Sequence, residues 1–233
     1  MNNVVAIVPI KMNNERLQGK NTKTFTNGEP LIHYILESLL EVKGIDEIYV
    51  YCSNPMIKDY LPNGVKYLKR SELLDSKDTL ILEVLKSFAM DVKSKYYVLT
   101  HATAPFLKGD TIQKALDMVL SGEYDSALSV TELKEFLWKE NKPMNFDRSK
   151  VQKTQDLDPI YSETTGLYIY SHDLIMNEER RTGDHPYLAV VDKIEATDIN
   201  EPIDFEIADA IFKEKQRREI IQVIRETRGE SYE

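Results

Sequence analysis

The feature that most constrains this chain is an alternation. Short apolar runs rich in β-branched residues are separated by stretches of helical period. Residues 4–10 (VVAIVPI) form a continuous apolar run too short for a helix. Such a run reads as a strand buried on both faces, as in a parallel sheet. Further strands are predicted at 47–53, 65–68, 96–101 and 126–131. Between them, Leu31, Ile32, Ile35, Leu36, Leu39 and Leu40 make one apolar stripe. Pro30 opens that helix and Gly44 stops it. A second helix is predicted over 79–92, with Ile81, Val84, Leu85 and Phe88 on one face, and a third is capped by Asp110 and runs to about Leu120. This rhythm implies right-handed crossovers and a mainly parallel sheet covered on both faces. The expected fold is therefore a Rossmann-like α/β class in three layers (α/β/α), one domain over 1–233. In such sheets ligands sit beyond the carboxyl ends of the strands. The loops after Ile10, Ser53 and His101 should then converge on one crevice.

Residues 132–160 break the rhythm: they are polar, carry the sole tryptophan, Trp138, and lack helical period. They read as an excursion from the sheet, a β-arm or subunit contact with Trp138 as a candidate dimer anchor. Strands resume at 167–171 and 188–191, and a last helix starts near Asp204 with Ala208, Ile211 and Phe212 facing inward. Its charged end, 229–233, should fray.

Acidic residues number 39 against 30 basic ones, for a formal net charge of −9. A chain of this sign repels nucleic acid, and its 13 tyrosines are too scattered to make a base-stacking platform. The single cysteine, Cys52, excludes an intramolecular disulfide framework and a CxxC zinc site. No apolar stretch is long enough for a bilayer, and the chain opens on a strand-like run rather than a signal peptide. The expected location is the cytoplasm, away from membranes. Against the overall charge, the stretch after the first strand concentrates Lys11, Arg16, Lys20 and Lys23 with Glu15 as its only acid. At a strand end this is a phosphate trap, and Asn13, Asn14 and Gly19 tolerate the backbone angles that aim N–H groups at oxyanions. On charge alone, a solvated basic loop is an equal alternative. The glycines of a Walker loop or a dinucleotide fingerprint are absent.

The same stretch resembles the sugar cytidylyltransferases, which make CMP-sialic acid, CMP-Kdo and related CMP-activated nonulosonic acids. Their opening is a strand ending in I-P-A-R, a G-S-K-G or G-S-T-R turn, a G-K or K-N pair, and a helix starting G-x-P-L-I. This chain has IVPIK, NNERLQGKN and GEPLI. Lys11 stands at the family arginine, Arg16 where Kdo-type enzymes keep arginine, and Lys20-Asn21 at the K-N pair. Glu15 departs from the lysine of the sialic type, and the glycine of the G-S turn is missing. Further along, Arg70 in YLKRSELLDSKDT falls at R-P-x-x-L with its following D-T. THATAPF, residues 100–106, resembles Q-P-T-S-P-L with His101 for glutamine. ETTGLY, from Glu163, resembles E-x-N-G-x-Y with Thr165 for asparagine. DINEPIDF, from Asp198, resembles D-I-D-T-P-E-D-L/F with Asn200 for the second aspartate.

The resemblance implies a nucleotidyltransferase fold and attack of a sugar acid's anomeric hydroxyl on the α-phosphorus of CTP, releasing pyrophosphate. It implies Lys20 as the cation that neutralises the phosphates, with Lys11, Asn14, Arg16 and Asn21 as nucleotide contacts. Arg70 either reaches the triphosphate or makes a structural salt bridge. Thr79 and Thr103 line the cytosine or sugar pocket or serve as cap and turn residues. Asp198 is the candidate Mg²⁺ ligand, with Asn200 able to add an uncharged amide oxygen, and Asp204 reads as the cap of the last helix. Glu163 and Thr165 fall on the sugar side, and His101 either contacts the sugar carboxylate or is a satisfied polar residue near the sheet edge. A homodimer is a further implication. Rival readings are CMP-Kdo synthesis, a nucleotidyltransferase of the same fold acting on a polyol or isoprenoid phosphate, and a non-catalytic nucleotide-binding subunit, kept open by Glu15, His101, Thr165 and Asn200.

Overall fold

The computed structural model describes residues 2–228. A seven-stranded sheet forms its middle layer. The strands are β1 (Asn2–Ile10), β2 (Glu47–Cys52), β3 (Val65–Lys69), β4 (Ser94–Thr100), β5 (Ser126–Leu133), β8 (Ile160–Ser171) and β9 (Pro186–Val190). They lie in the order β3-β2-β1-β4-β8-β5-β9. β8 runs antiparallel to both its neighbours, and the remaining pairings are parallel.

β1 lies inside the sheet, between β2 and β4, and its residues are apolar on both faces. Val4, Ala6, Val8 and Ile10 pack with α1 (Leu31–Leu40) and α3 (Gly109–Leu120). Val5 and Ile7 face the opposite layer, where α2 (Ile81–Asp91) and α4 (His172–Met176) supply Val84, Leu85, Phe88, Leu174 and Ile175. A third cluster joins α5 (Pro202–Arg228) to the loop after β1. There Phe25 stacks on Phe205 with ring centroids 4.4 Å apart. Among the described residues no helix is long and apolar enough to cross a membrane.

Several expectations need correction. Leu40 ends the α1 stripe but is 42% exposed. Helix α2 begins at Ile81 rather than Thr79, because the Glu83 carboxylate accepts the Leu80 N–H at 2.8 Å and sets the first turn there. Asp110 does not cap α3. It sits inside the first turn, and the buried Glu195 carboxylate accepts the Lys108 N–H at the helix entrance, 3.1 Å away. β8 starts at Ile160, not Leu167, because its polar first half continues beyond the β4 end and pairs with β5 alone. Within 132–160 a hairpin forms from β6 (Trp138–Lys139) and β7 (Lys142–Pro143). Its turn residues Glu140 and Asn141 have φ of 50° and 62°, the left-handed pair that a tight two-residue hairpin demands. The fraying expected at 229–233 lies outside the described residues.

Candidate active site

The loop leaving β1 is organised from within. Asn21 is buried, and its amide donates to the Lys11 carbonyl at 2.9 Å and to Asn14 Oδ1 at 3.5 Å. Gly19, at φ 62°, turns the chain into the short helical turn Lys20–Thr22; a side chain there would be strained. The turn swings the half-buried Lys20 ammonium inward, where it donates to the Ile199 carbonyl at 2.9 Å. Burial is the main cause that lowers its pKa, opposed by the neighbouring Asp198 carboxylate. Lys11, Asn14, Arg16 and Lys20 line a common pocket of about 260 Å³ together with Lys77, Asn200 and one acid, Glu15.

Asp198 and Asn200 are delivered by the segment entering α5. Ile199 is fully buried, and its N–H donates to the Thr103 carbonyl at 2.8 Å, which ties this segment to the end of β4. Asn200 turns its amide nitrogen to Asp198 Oδ2 at 2.6 Å and its oxygen to Arg16 Nη2 at 3.2 Å. Arg16 also meets Glu201 at 3.2 Å, an exposed pair worth little by itself. Asp204 caps α5 from inside the first turn: one carboxylate oxygen accepts the N–H groups of Asn200 and Glu201 at 2.8 and 2.7 Å. Those bonds hold its pKa below the usual carboxylate range. Among the described residues no three His, Cys, Asp or Glu side chains cluster as a metal cage. The Asp198 carboxylate beside this mostly basic pocket nevertheless fits Mg²⁺, which commonly takes one or two carboxylates plus substrate phosphates.

Beside this pocket the ends of β1, β2 and β3 frame a second cleft of about 660 Å³, lined in part by Met12, Asn13, Ser53 and Asp75. Arg70 is 4% exposed, and its Nε and Nη2 both reach Asp75 Oδ1, at 3.2 and 2.5 Å. Of the two readings of Arg70, the salt bridge is the one observed. Thr79 lies in the turn before α2, its N–H donating to the Ser76 carbonyl at 3.3 Å.

On the other side of Asp198, β8 carries an irregularity. Its register against β5 shifts from Leu128↔Tyr168 to Val130↔Glu163. Ser129 fills the gap, its hydroxyl 2.6 Å from that of Thr164 and accepting the Leu167 N–H at 3.0 Å. Thr165, exposed at the crest of this bulge, has φ 60°. A left-handed conformation in a β-branched residue stores about 1–3 kcal/mol. Tyr168 OH donates to Glu163 Oε2 at 2.6 Å. His101, just past β4, is held neutral, its pKa pushed down to about 4; burial is the main cause, then Arg181, and the Asp198 carboxylate opposes them. Two cations of this region, Lys77 and Arg181, were not singled out from the sequence. Each sits in a charged run (SKD, EERR) that reads as solvated surface.

Comparison with known proteins gives the family and the fold. The family model described as cytidylyltransferase matches residues 5–224. The CMP-N,N'-diacetyllegionaminic acid synthase of Legionella pneumophila is 26% identical over 228 residues, covering 91% of this chain and 97% of that protein. The pseudaminic acid cytidylyltransferase of Campylobacter jejuni is 23% identical, covering 90% and 96%. A solved CMP:2-keto-3-deoxy-manno-octonic acid synthetase complexed with CTP superposes with a TM-score of 0.67 at 13% identity, over 91% of this chain and 99% of that one, which shows the shared fold. The chain is thus a nucleotidyltransferase, and it belongs to the cytidylyltransferase family.

Proposed function

We propose that this enzyme joins CTP to a 2-keto-3-deoxy sugar acid of the nonulosonic type, giving the CMP-sugar and pyrophosphate. The observation that carries the reading is the juxtaposition of Lys20 and Asp198 beside one basic pocket beyond the end of β1. Glu163 is assigned to the sugar side, and its pairing with Tyr168 supports that role. Displacement at phosphorus is catalysed chiefly by positioning and charge neutralisation. Lys11, Arg16 and Lys20 bind and neutralise the triphosphate, and Lys20 is the cation positioned for the charge that builds during displacement. Asp198 would hold Mg²⁺, with Asn200 orienting the carboxylate through its amide nitrogen. When bound, that ion neutralises phosphate oxygens and polarises the reacting phosphorus. Asn21 keeps the loop in its binding shape. His101 stays neutral and adds no cation to the sugar side. A cytoplasmic location suits the buried free thiol of Cys52, and the exposed hairpin around Trp138 is the surface assigned to a homodimer.

The test is pyrophosphate release from CTP and Mg²⁺ with a panel of legionaminic, pseudaminic, neuraminic and Kdo acids. Release is expected with a nonulosonic acid, and far less with ATP or UTP. No release with any acid sinks the proposal. Kdo is the second reading, favoured by Arg16 and by the single carboxylate at Asp198, and fastest turnover with Kdo would select it.

A further inference from the structure

A sugar acid brings a carboxylate that needs its own cation, and the lysines and arginine of the β1 loop face the nucleotide. Arg181 is a separate cation. It belongs to the loop between α4 and β9, and its guanidinium lies over the Tyr168 ring, 3.7 Å from the centroid. Its Nη2 donates to Tyr168 OH at 2.8 Å, and the same nitrogen is 3.9 Å from Glu163 Oε2. Tyr168 OH passes its own proton toward Glu163 at 2.6 Å. Arg181 Nε and Nη1 make no hydrogen bond among the described residues. Neither nitrogen is among the fully buried unpartnered atoms, so both stay open to an incoming acceptor, on a side chain that is itself 23% exposed. Glu163 does not supply enough: it is 52% exposed and stands at the edge of ion-pair range.

The loop that carries Arg181 is built to keep still. Asp125 Oδ2 accepts the N–H groups of Asp184 and His185, each at 2.8 Å, and Ser126 Oγ accepts that of Gly183 at 2.8 Å. Gly183 approaches Asp125 so closely that a Cβ would lie 2.2 Å from its carboxyl. Arg180 clamps the turn by pairing with both Glu178 and Asp184. Arg181 therefore projects from a rigid support, stacked on a buried ring. It reaches the field of His101, which also senses Lys20 and Asp198. A planar guanidinium fixed in this way suits recognition of a carboxylate.

We infer that Arg181 seats the carboxylate of the sugar-acid substrate, while Tyr168 and Glu163 hold its guanidinium in plane. This rests on the sugar-acid reading above. The experiment compares the acid turned over fastest in the panel with its carboxamide. For the wild-type enzyme, kcat/KM should favour the acid by about a hundredfold, the scale of losing one partner of a desolvated charge pair. Arg181→Met should bring the acid down to the carboxamide level, chiefly through KM, with CTP affinity kept as the check on folding. Arg181→Lys should restore part of the preference, and Tyr168→Phe should soften it. Full acid preference in an Arg181→Met enzyme that binds CTP overturns the inference and leaves the function standing. A wild-type enzyme indifferent to acid or amide overturns it without any variant. A wild-type enzyme that turns over none of the acids overturns both.

Discussion

At His101 the fold withholds a charge. An imidazole ordinarily titrates near 6.5, and burial, reinforced by Arg181, pushes this one down to about 4. Above the ordinary value both folded and unfolded chains hold the neutral ring, and the folded preference counts in full. As pH falls through that value the unfolded chain takes the proton first, and stability is lost until the folded pKa is reached. Between about pH 7 and about pH 4.5 this amounts to roughly 2–3 kcal/mol. Urea unfolding in EDTA should show wild type losing that much more than His101→Gln over this interval; equal losses would contradict the assignment. Individual residues differ in how well they can be read from sequence. Lys20 and Asn21 draw attention because they lie in a local reversal of charge after a strong strand and match a pair in the resembled family. Glu195 does not, since a carboxylate in a short aperiodic stretch (DKIEATD) gives no sign that it will be buried against the entrance of α3. Lys77 and Arg181 escape notice for the same reason: only the chain's path brings them to a pocket or onto a ring.

Among the elements, those with apolar residues on a strict period are legible and those without are not. β1 and α1 announce themselves. The first half of β8 does not, because Ser162, Glu163, Thr164 and Thr165 lie past the end of β4, where polar side chains face solvent. The bulge at Thr165 is equally invisible, since a threonine at positive φ contradicts its own preference. Helix α5 shows how an element positions chemistry from outside it. Phe205 clamps Phe25, Ile199 packs into the same cluster, and Asp198 is thereby set next to Lys20. The hairpin of β6 and β7 has a different task. Trp138 is 53% exposed, with Met144 at 57% and Val151 at 62% along the same excursion. Apolar surface of this kind suits a second copy of the chain. Light scattering should give twice the mass of one chain, and Trp138→Asp should shift the population to monomer. A wild-type monomer at micromolar concentration would contradict the homodimer.

For the molecule as a whole, the sign of the charge is the organising contrast. The chain carries −9, yet Lys11, Arg16, Lys20 and Lys77, against Glu15 alone, line one pocket beyond the end of β1. That placement follows from topology, because parallel strands deliver their following loops to one edge. The fold class could be read in advance for this reason, whereas the presence of a separate 660 Å³ cleft beside the 260 Å³ one could not, since its lining comes from turns far apart in the sequence. The account stands on Lys20 acting on the phosphates of CTP opposite Asp198, and the pyrophosphate-release assay with Lys20→Ala addresses this most directly. Loss of one such contact should lower kcat by about a hundredfold in a variant that remains folded. Turnover at the wild-type rate in that folded variant would contradict the account.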